Sequence, residues 1–232
     1  MLLDKINGST RWREAIITEI AQMDEYEVFK DKGKAHVEKG KVVNAPQGYK
    51  KIRVHLVFDV KHDGRHKARL VADGHLTEQP VEDVYSGVVS LRNLRLVIFL
   101  AELNDLELWG ADIGNAYLEA RTEEKVFIVA GAEFGERQGH ILIIYKALYG
   151  LRSSGKRFWE VLHDELRELG FEPSKADPQV WMRPTKAGDA YEYIAVYVDD
   201  LAIAAEDCKE ICDTLKERCG FKLKGDGPLP RV

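Results

Sequence analysis

The stretch Ile194-Ala-Val-Tyr-Val-Asp-Asp-Leu-Ala-Ile-Ala-Ala205 is apolar throughout except for two adjacent aspartates near its middle. It is too short and too charged to span a bilayer. Two apolar runs meeting at a pair of turn-forming residues predict a β-hairpin with Asp199 and Asp200 at its tip. Upstream, residues 106–113 read as a short strand that places Asp112 near its end and runs into the turn Gly114-Asn115. If this strand joins the hairpin in one sheet, three carboxylates meet at one sheet edge.

The flanking elements follow from hydrophobic spacing. Residues 156–169 predict a helix with Phe158, Leu162, Leu166 and Leu169 on one side, ended by Gly170. A further helix over 207–219 and a strand around 221–224 follow the hairpin, before Gly225-Asp-Gly-Pro-Leu-Pro230 breaks the pattern. Ser90 can cap a helix reaching about Leu103, with Leu94, Val97, Ile98 and Ala101 on its buried side. Strands are predicted at 127–129 and 141–144, separated by a Gly-rich loop. Nearer the start, Trp12, Ile16, Ile20 and Met23 form the apolar stripe of an opening helix. Two strands at 52–60 and 66–72 flank His62-Asp63-Gly64-Arg65, where Asp-Gly is a strong hairpin turn. The intervening residues 30–51 are polar, with few helical signals. This order suits an α+β class, an antiparallel sheet covered by helices on one face.

With 232 residues, 45% of them apolar, the chain can bury the core of one large domain or two subdomains sharing an interface. No apolar run is long enough for a membrane span and Met1 opens no basic-then-apolar leader, so the expectation is a soluble, intracellular protein. Cys208, Cys212 and Cys219 fall on one helical face without a second ligand pair at metal spacing, which predicts buried core thiols rather than zinc. The formal net charge is -5, against the basic footprint usual in proteins that bind nucleic acid. Distribution matters more than the sum: Lys50, Lys51, Arg53, Lys61, Arg65, Lys67 and Arg69 concentrate positive charge on the hairpin over 50–72.

A cluster of carboxylates at a sheet edge is costly unless cations neutralise it. Two divalent metals about 3.5 to 4 Å apart would do so, bridging an attacking hydroxyl and a leaving phosphate oxygen. Magnesium suits such a site, because it is held by one or two carboxylates plus substrate phosphates. Successive strand residues point to opposite faces, which favours Asp112 and Asp199 as direct ligands, Asp200 as accessory, and the Ile113 carbonyl as a further ligand. An Asp-Asp pair alone is a common turn.

The surrounding residues narrow the reading. Tyr197-Val198-Asp199-Asp200-Leu201 resembles the YVDDL signature of reverse transcriptases, and Asp112-Ile-Gly-Asn-Ala-Tyr-Leu118 resembles their first catalytic motif. Lys67-Ala-Arg-Leu-Val-Ala72 and Ala147-Leu-Tyr-Gly-Leu-Arg152 resemble segments of copia-like polymerases, and all four occur in the family's order. The resemblance implies the fingers and palm of a polymerase right hand, the palm being ferredoxin-like or RRM-like. Fingers would occupy mainly 1–104, with the opening helix and basic hairpin. Palm would occupy mainly 105–232, with a fingers insertion at about 119–150, and the thumb, connection and RNase H parts would be absent.

The same resemblance implies roles. Asp112, Asp199 and Asp200 would be catalytic, holding two Mg²⁺ ions, with Mn²⁺ as a substitute. Lys67 and Arg69 would grip an incoming dNTP, supported by backbone amides of Gly114, Asn115 and Ala116. Tyr117 would act as a steric gate against a ribose 2′-OH, with Tyr149 and Gly150 under the nascent pair. Leu70, Arg152, Lys156, Arg157, Tyr197 and Val198 would touch an RNA or DNA template-primer. Further implied partners are the integrase and RNase H portions of a retrotransposon polyprotein. The implied location is a cytoplasmic virus-like particle, or the nucleus if a host has adopted the domain.

Three departures stand out. Ser154-Gly155 and Ser86-Gly87 replace Ser-Pro, and Asp73 replaces a basic residue after Ala72, which is expected to weaken the local positive field. Two other readings remain open: a catalytically silent domain that only binds nucleic acid or protein, and a different metal-dependent phosphodiesterase.

Overall fold

A computed structural model describes residues 2–77 and 87–230. In chain order the elements begin with α1 (Leu2–Asn7), α2 (Arg11–Glu25), β1 (Phe29–Lys34), β2 (Val37–Glu38), β3 (Lys41–Val42) and β4 (Lys50–Lys51). Next come β5 (Val54–Val60), β6 (His66–Ala72), α3 (Leu91–Leu103), β7 (Glu107–Ile113), α4 (Ala116–Glu119), β8 (Val126–Val129) and β9 (His140–Ile144). The chain continues with α5 (Ser154–Glu168), β10 (Glu172–Pro173), β11 (Val180–Pro184), β12 (Tyr191–Tyr197), β13 (Asp200–Ala205), α6 (Cys208–Glu217) and β14 (Leu223–Pro228). These elements form two compact units, one of Met1–Val84 with Tyr117–Arg157 and one of Tyr85–Ala116 with Phe158–Val232.

In the first unit, α2 starts where the Asp4 carboxylate accepts the backbone N–H groups of Trp12 and Arg13 at 3.1 and 2.9 Å. That satisfies two of the donors a helix start leaves open. The buried stripe of α2 is Trp12, Ala15, Glu19 and Met23, rotated from the expected one so that Ile16 and Ile20 are only half-buried. Glu19 drives the rotation: its carboxylate accepts the Leu70 N–H at 2.8 Å, a bond that requires it to face β6. Burial pushes the Glu19 carboxyl above its usual range, partly offset by that N–H and by the charges of Lys67 and Arg69. The ribbon β5–β6 forms as predicted, with Ala68, Leu70 and Ala72 buried on one side of β6 and Lys67, Arg69 and Val71 on the other. A four-stranded sheet, β1-β9-β8-β4, completes this unit. Its strand β1 and the short β2, β3 and β4 lie within residues that showed no apolar alternation, because they are largely exposed and take their form from pairing partners.

The second unit is built on a six-stranded sheet, β10-β11-β12-β13-β7-β14, antiparallel at every pairing. Ser90 caps α3 as expected, its hydroxyl accepting the Asn93 N–H at 3.2 Å. Val97 and Ala101 of this helix pack with Leu108, Val180, Ala195 and Ala204, all on one sheet face. Trp181, Ile194 and Ile203 line the opposite face, where the His163 ring of α5 lies 4.5 Å from Trp181. Helices therefore cover both faces, which corrects the expectation of one covered face. The reason is in the hairpin itself: β12 and β13 are apolar at both odd and even positions, so neither face can be left to water. The packing of α3 also places it in this second unit rather than with residues 1–104. The strand β14 runs on to Pro228 instead of ending near Lys224, because a register shift absorbs Gly225, with φ at 59°, as a bulge on an edge strand.

Cys208 and Cys212 are buried on α6, and burial pushes their thiols up to about 12 and about 11. These two are core residues, as expected, whereas Cys219 lies beyond the end of α6, is only half-buried, and its thiol donates to the Glu165 carboxylate at 3.0 Å. Among the described residues, no helix is long and apolar enough to cross a membrane.

Candidate active site

The hairpin of β12 and β13 closes through two residues. Tyr197 pairs with Asp200, leaving Val198-Asp199 as the turn. Val198 has φ of 58°, a left-handed conformation that glycine or asparagine adopts readily and a β-branched residue does not. Such strain persists only where the surroundings over-determine it, and it concentrates at functional sites.

Register then brings the acidic residues together. Asp200 on β13 sits directly opposite Asp112 on β7, and the Ile113 N–H donates to the Asp199 carbonyl at 2.8 Å. Directly opposed residues of an antiparallel pair share a face, with Cβ atoms about 4.5 to 5.5 Å apart. Asp112 and Asp200 are thus neighbours, whereas Asp199 lies in the turn, where strand alternation no longer dictates its direction. The expected ranking of Asp199 over Asp200 rested on that alternation and does not follow from the register. Partial burial raises the Asp200 carboxyl above its ordinary range, and the negative charges of Asp199 and Asp112 raise it further.

The other edge of β7 supplies a residue that sequence reasoning missed. Lys224 on β14 pairs with Asp112, so Lys224, Asp112 and Asp200 form one row across three strands. A Cβ added to Gly114 would come within 2.7 Å of Lys224 Cε, so the lysine stem lies along that glycine. Its sequence signal was weak, because nothing in the local pattern says which strand β14 joins.

Among the described residues, no three or more His, Cys, Asp or Glu side chains gather into a metal cage. Magnesium does not require one, since substrate phosphates and water complete its shell. A carboxylate that partial burial and neighbouring negative charge raise, as at Asp200, suits a divalent cation. The backbone near it corrects one expectation: the Gly114 N–H donates to the Lys222 carbonyl at 2.9 Å, so it is not available to a phosphate. Asn115, with φ of 55°, and Ala116 continue the turn into α4. Tyr197 is exposed and Val198 half-buried at the tip.

The remaining expected residues, Lys67, Arg69, Leu70, Tyr117, Tyr149, Gly150, Arg152, Lys156 and Arg157, lie in the first unit. Lys67 and Arg69 share a face of β6, opposite Asp59 and Val57. The rings of Tyr117 and Tyr149 lie 4.8 Å apart. Gly150, with φ of 90°, is irreplaceable sterically: a Cβ there would lie 2.1 Å from the Ala72 carbonyl oxygen. Close backbone approach is thus observed, but toward β6, where the Ala72 N–H donates to the Tyr149 carbonyl at 2.7 Å.

Three expected nucleic-acid contacts are corrected. Leu70 is fully buried in the core of this unit and cannot reach a template. Arg152 Nε donates to the Gly74 carbonyl at 3.0 Å, and Arg157 pairs with the Glu123 carboxylate, so both serve the fold. Lys156 is half-buried at the start of α5. Asp73 is held by Arg53 Nε at 3.2 Å and His55 Nδ1 at 2.9 Å, which localises its charge in a structural cluster. Of the two Ser-Gly departures, Ser86 lies outside the described residues, while Gly87 packs so closely on Gln179 that a Cβ would come within 2.8 Å of its amide nitrogen.

The family described as "Reverse transcriptase (RNA-dependent DNA polymerase)" matches residues 38–230. The chain is 27% identical over 203 residues to the retrovirus-related Pol polyprotein from transposon TNT 1-94 of Nicotiana tabacum, covering 83% of this chain and 15% of that protein. It is 27% identical over 169 residues to the corresponding polyprotein from transposon RE2 of Arabidopsis thaliana, covering 70% of this chain and 12% of that one. Against the truncated transposon Ty1-A Gag-Pol polyprotein of Saccharomyces cerevisiae, identity is 26% over 213 residues, 89% of this chain and 16% of the relative. The chain therefore spans about one sixth or less of the relatives it matches.

Proposed function

Because this chain belongs to the reverse transcriptase family, of the copia-like kind, we propose that it extends a primer 3′-OH with dNTPs on an RNA or DNA template. The observation that carries the proposal is the pairing of Asp200 with Asp112 beside the strained Val198-Asp199 turn. Asp112, Asp200 and Asp199 would hold two Mg²⁺ ions, with Mn²⁺ as a substitute, which when bound activate the 3′-OH and stabilise the leaving pyrophosphate. Lys67 and Arg69 bind the triphosphate, Arg through its planar fork and Lys as a point charge. Tyr117, held by Tyr149, excludes a ribose 2′-OH. The exposed Tyr197 touches the primer end.

Primer extension on an RNA template with Mg²⁺ or Mn²⁺ tests this. The parent should extend, and Asp112→Asn or Asp200→Asn should reduce the rate by roughly a hundredfold or more, the scale on which one electrostatic group is lost. Equal extension by parent and variants would remove the metal reading. A second reading, a domain that binds nucleic acid without catalysis, is favoured by the engagement of the Gly114 N–H with the Lys222 carbonyl, which takes one donor from the expected phosphate cradle. Absence of extension together with retained duplex binding would select it.

A further inference from the structure

The helix α3 turns Val97 and Ala101 to the sheet and exposes a broad apolar strip on its far side. Leu91 is 61% exposed, Leu96 50%, Phe99 60% and Leu103 66%. Single exposed leucines are ordinary, but Leu96, Phe99 and Leu103, within about 60° of one another around the helix, mark an interaction surface. Charge is placed unevenly beside this strip: Arg92 and Arg95 lie toward the N-terminal end of α3 and Glu102 toward its C-terminal end, all three exposed.

We infer that α3 is a homodimerisation element that packs antiparallel against the α3 of a second copy of this chain. An isologous contact must be self-complementary, each residue meeting the partner position reflected through the two-fold axis. An axis between Ile98 and Phe99 sets Arg95 opposite Glu102, twice, around a centre of Phe99 with Leu96 and Leu103 beside it. A parallel arrangement would instead stack arginine on arginine and acid on acid. Antiparallel packing also places each helix N-terminus beside the partner's C-terminus, which the peptide dipoles favour. One helix face is smaller than the ~800 Å² per partner of standard stable interfaces, so the contact is a weak one that concentration governs.

Sedimentation velocity of the full chain over a concentration series provides the test. A monomer–dimer equilibrium is expected, with at least about tenfold weaker association for Phe99→Glu, an exposed position whose change should leave the thermal midpoint intact. Arg95→Glu alone and Glu102→Arg alone should each weaken the dimer, and the double variant should restore it, because the opposed pair is re-formed with signs exchanged. A chain that stays monomeric throughout would overturn the inference, as would association that the charge exchange leaves unchanged. If the face serves template-primer or another polyprotein segment instead, the chain will be monomeric and Phe99→Glu will weaken that binding, which also overturns it.

Discussion

Val198 carries a left-handed backbone at the centre of the acidic hairpin, and a β-branched residue there costs on the order of 1–3 kcal/mol. Val198→Gly should therefore stabilise the protein by about 1 kcal/mol after the added chain entropy of glycine, read as a higher urea midpoint. It should also slow primer extension, because the turn that positions Asp199 becomes free to move. At the neighbouring Asp200, burial and two like charges raise the carboxyl, so the folded state holds that proton more tightly than the unfolded chain does. Its contribution to stability is full at low pH and lost as pH rises through the folded-state range. Asp200→Asn should abolish that loss in thermal melts without metal, gaining at most ~0.3 kcal/mol near neutral pH, because Asp200 is exposed and water screens the repulsion. Added Mg²⁺ should stabilise the parent more than the variant.

At the scale of elements, the end of β6 and the Tyr149-Gly150 turn are fitted backbone to backbone. Gly150→Ala would force a Cβ against the Ala72 carbonyl and place alanine at φ of 90°. A loss of about 3 kcal/mol is expected in denaturant unfolding, while Gly170→Ala, also at positive φ but with open space around it, should cost only about 1 kcal/mol. In α5, His163 is 2% exposed and its burial lowers it to about 4. The unfolded chain thus takes up this proton first, and stability falls as pH drops from about 6.5 toward 4. His163→Leu should flatten that acid slope in unfolding measurements between pH 7 and 4; an unchanged slope would assign it to other groups. The sequence showed α5 and its apolar face but not the histidine's burial, because that depends on Trp181 arriving from a strand that local patterning did not reveal.

For the whole molecule, a net charge of -5 and a basic ribbon coexist because the signs are segregated along the chain. If that ribbon holds nucleic acid, duplex affinity should fall steeply with salt, and Lys61→Glu with Arg65→Glu, both exposed at the turn between β5 and β6, should make the slope shallower by about two, one for each lost phosphate contact. An equal slope in both proteins would leave the ribbon as a solvated surface.

Local order and chemistry were legible from residues alone. The apolar runs around Asp199-Asp200, the Ser90 cap, the Asp63-Gly64 turn and the four motifs each depend on neighbours within a few positions, and each element formed where expected. Tertiary structure decided what depends on partners distant in sequence: Asp200 rather than Asp199 opposite Asp112, Lys224 beside it, Leu70 and Glu19 buried together, and helices on both faces of the sheet. The physical reason is that strand register and helix rotation are set by the long-range burial of whole faces and by satisfaction of buried N–H groups, and no local spacing encodes either.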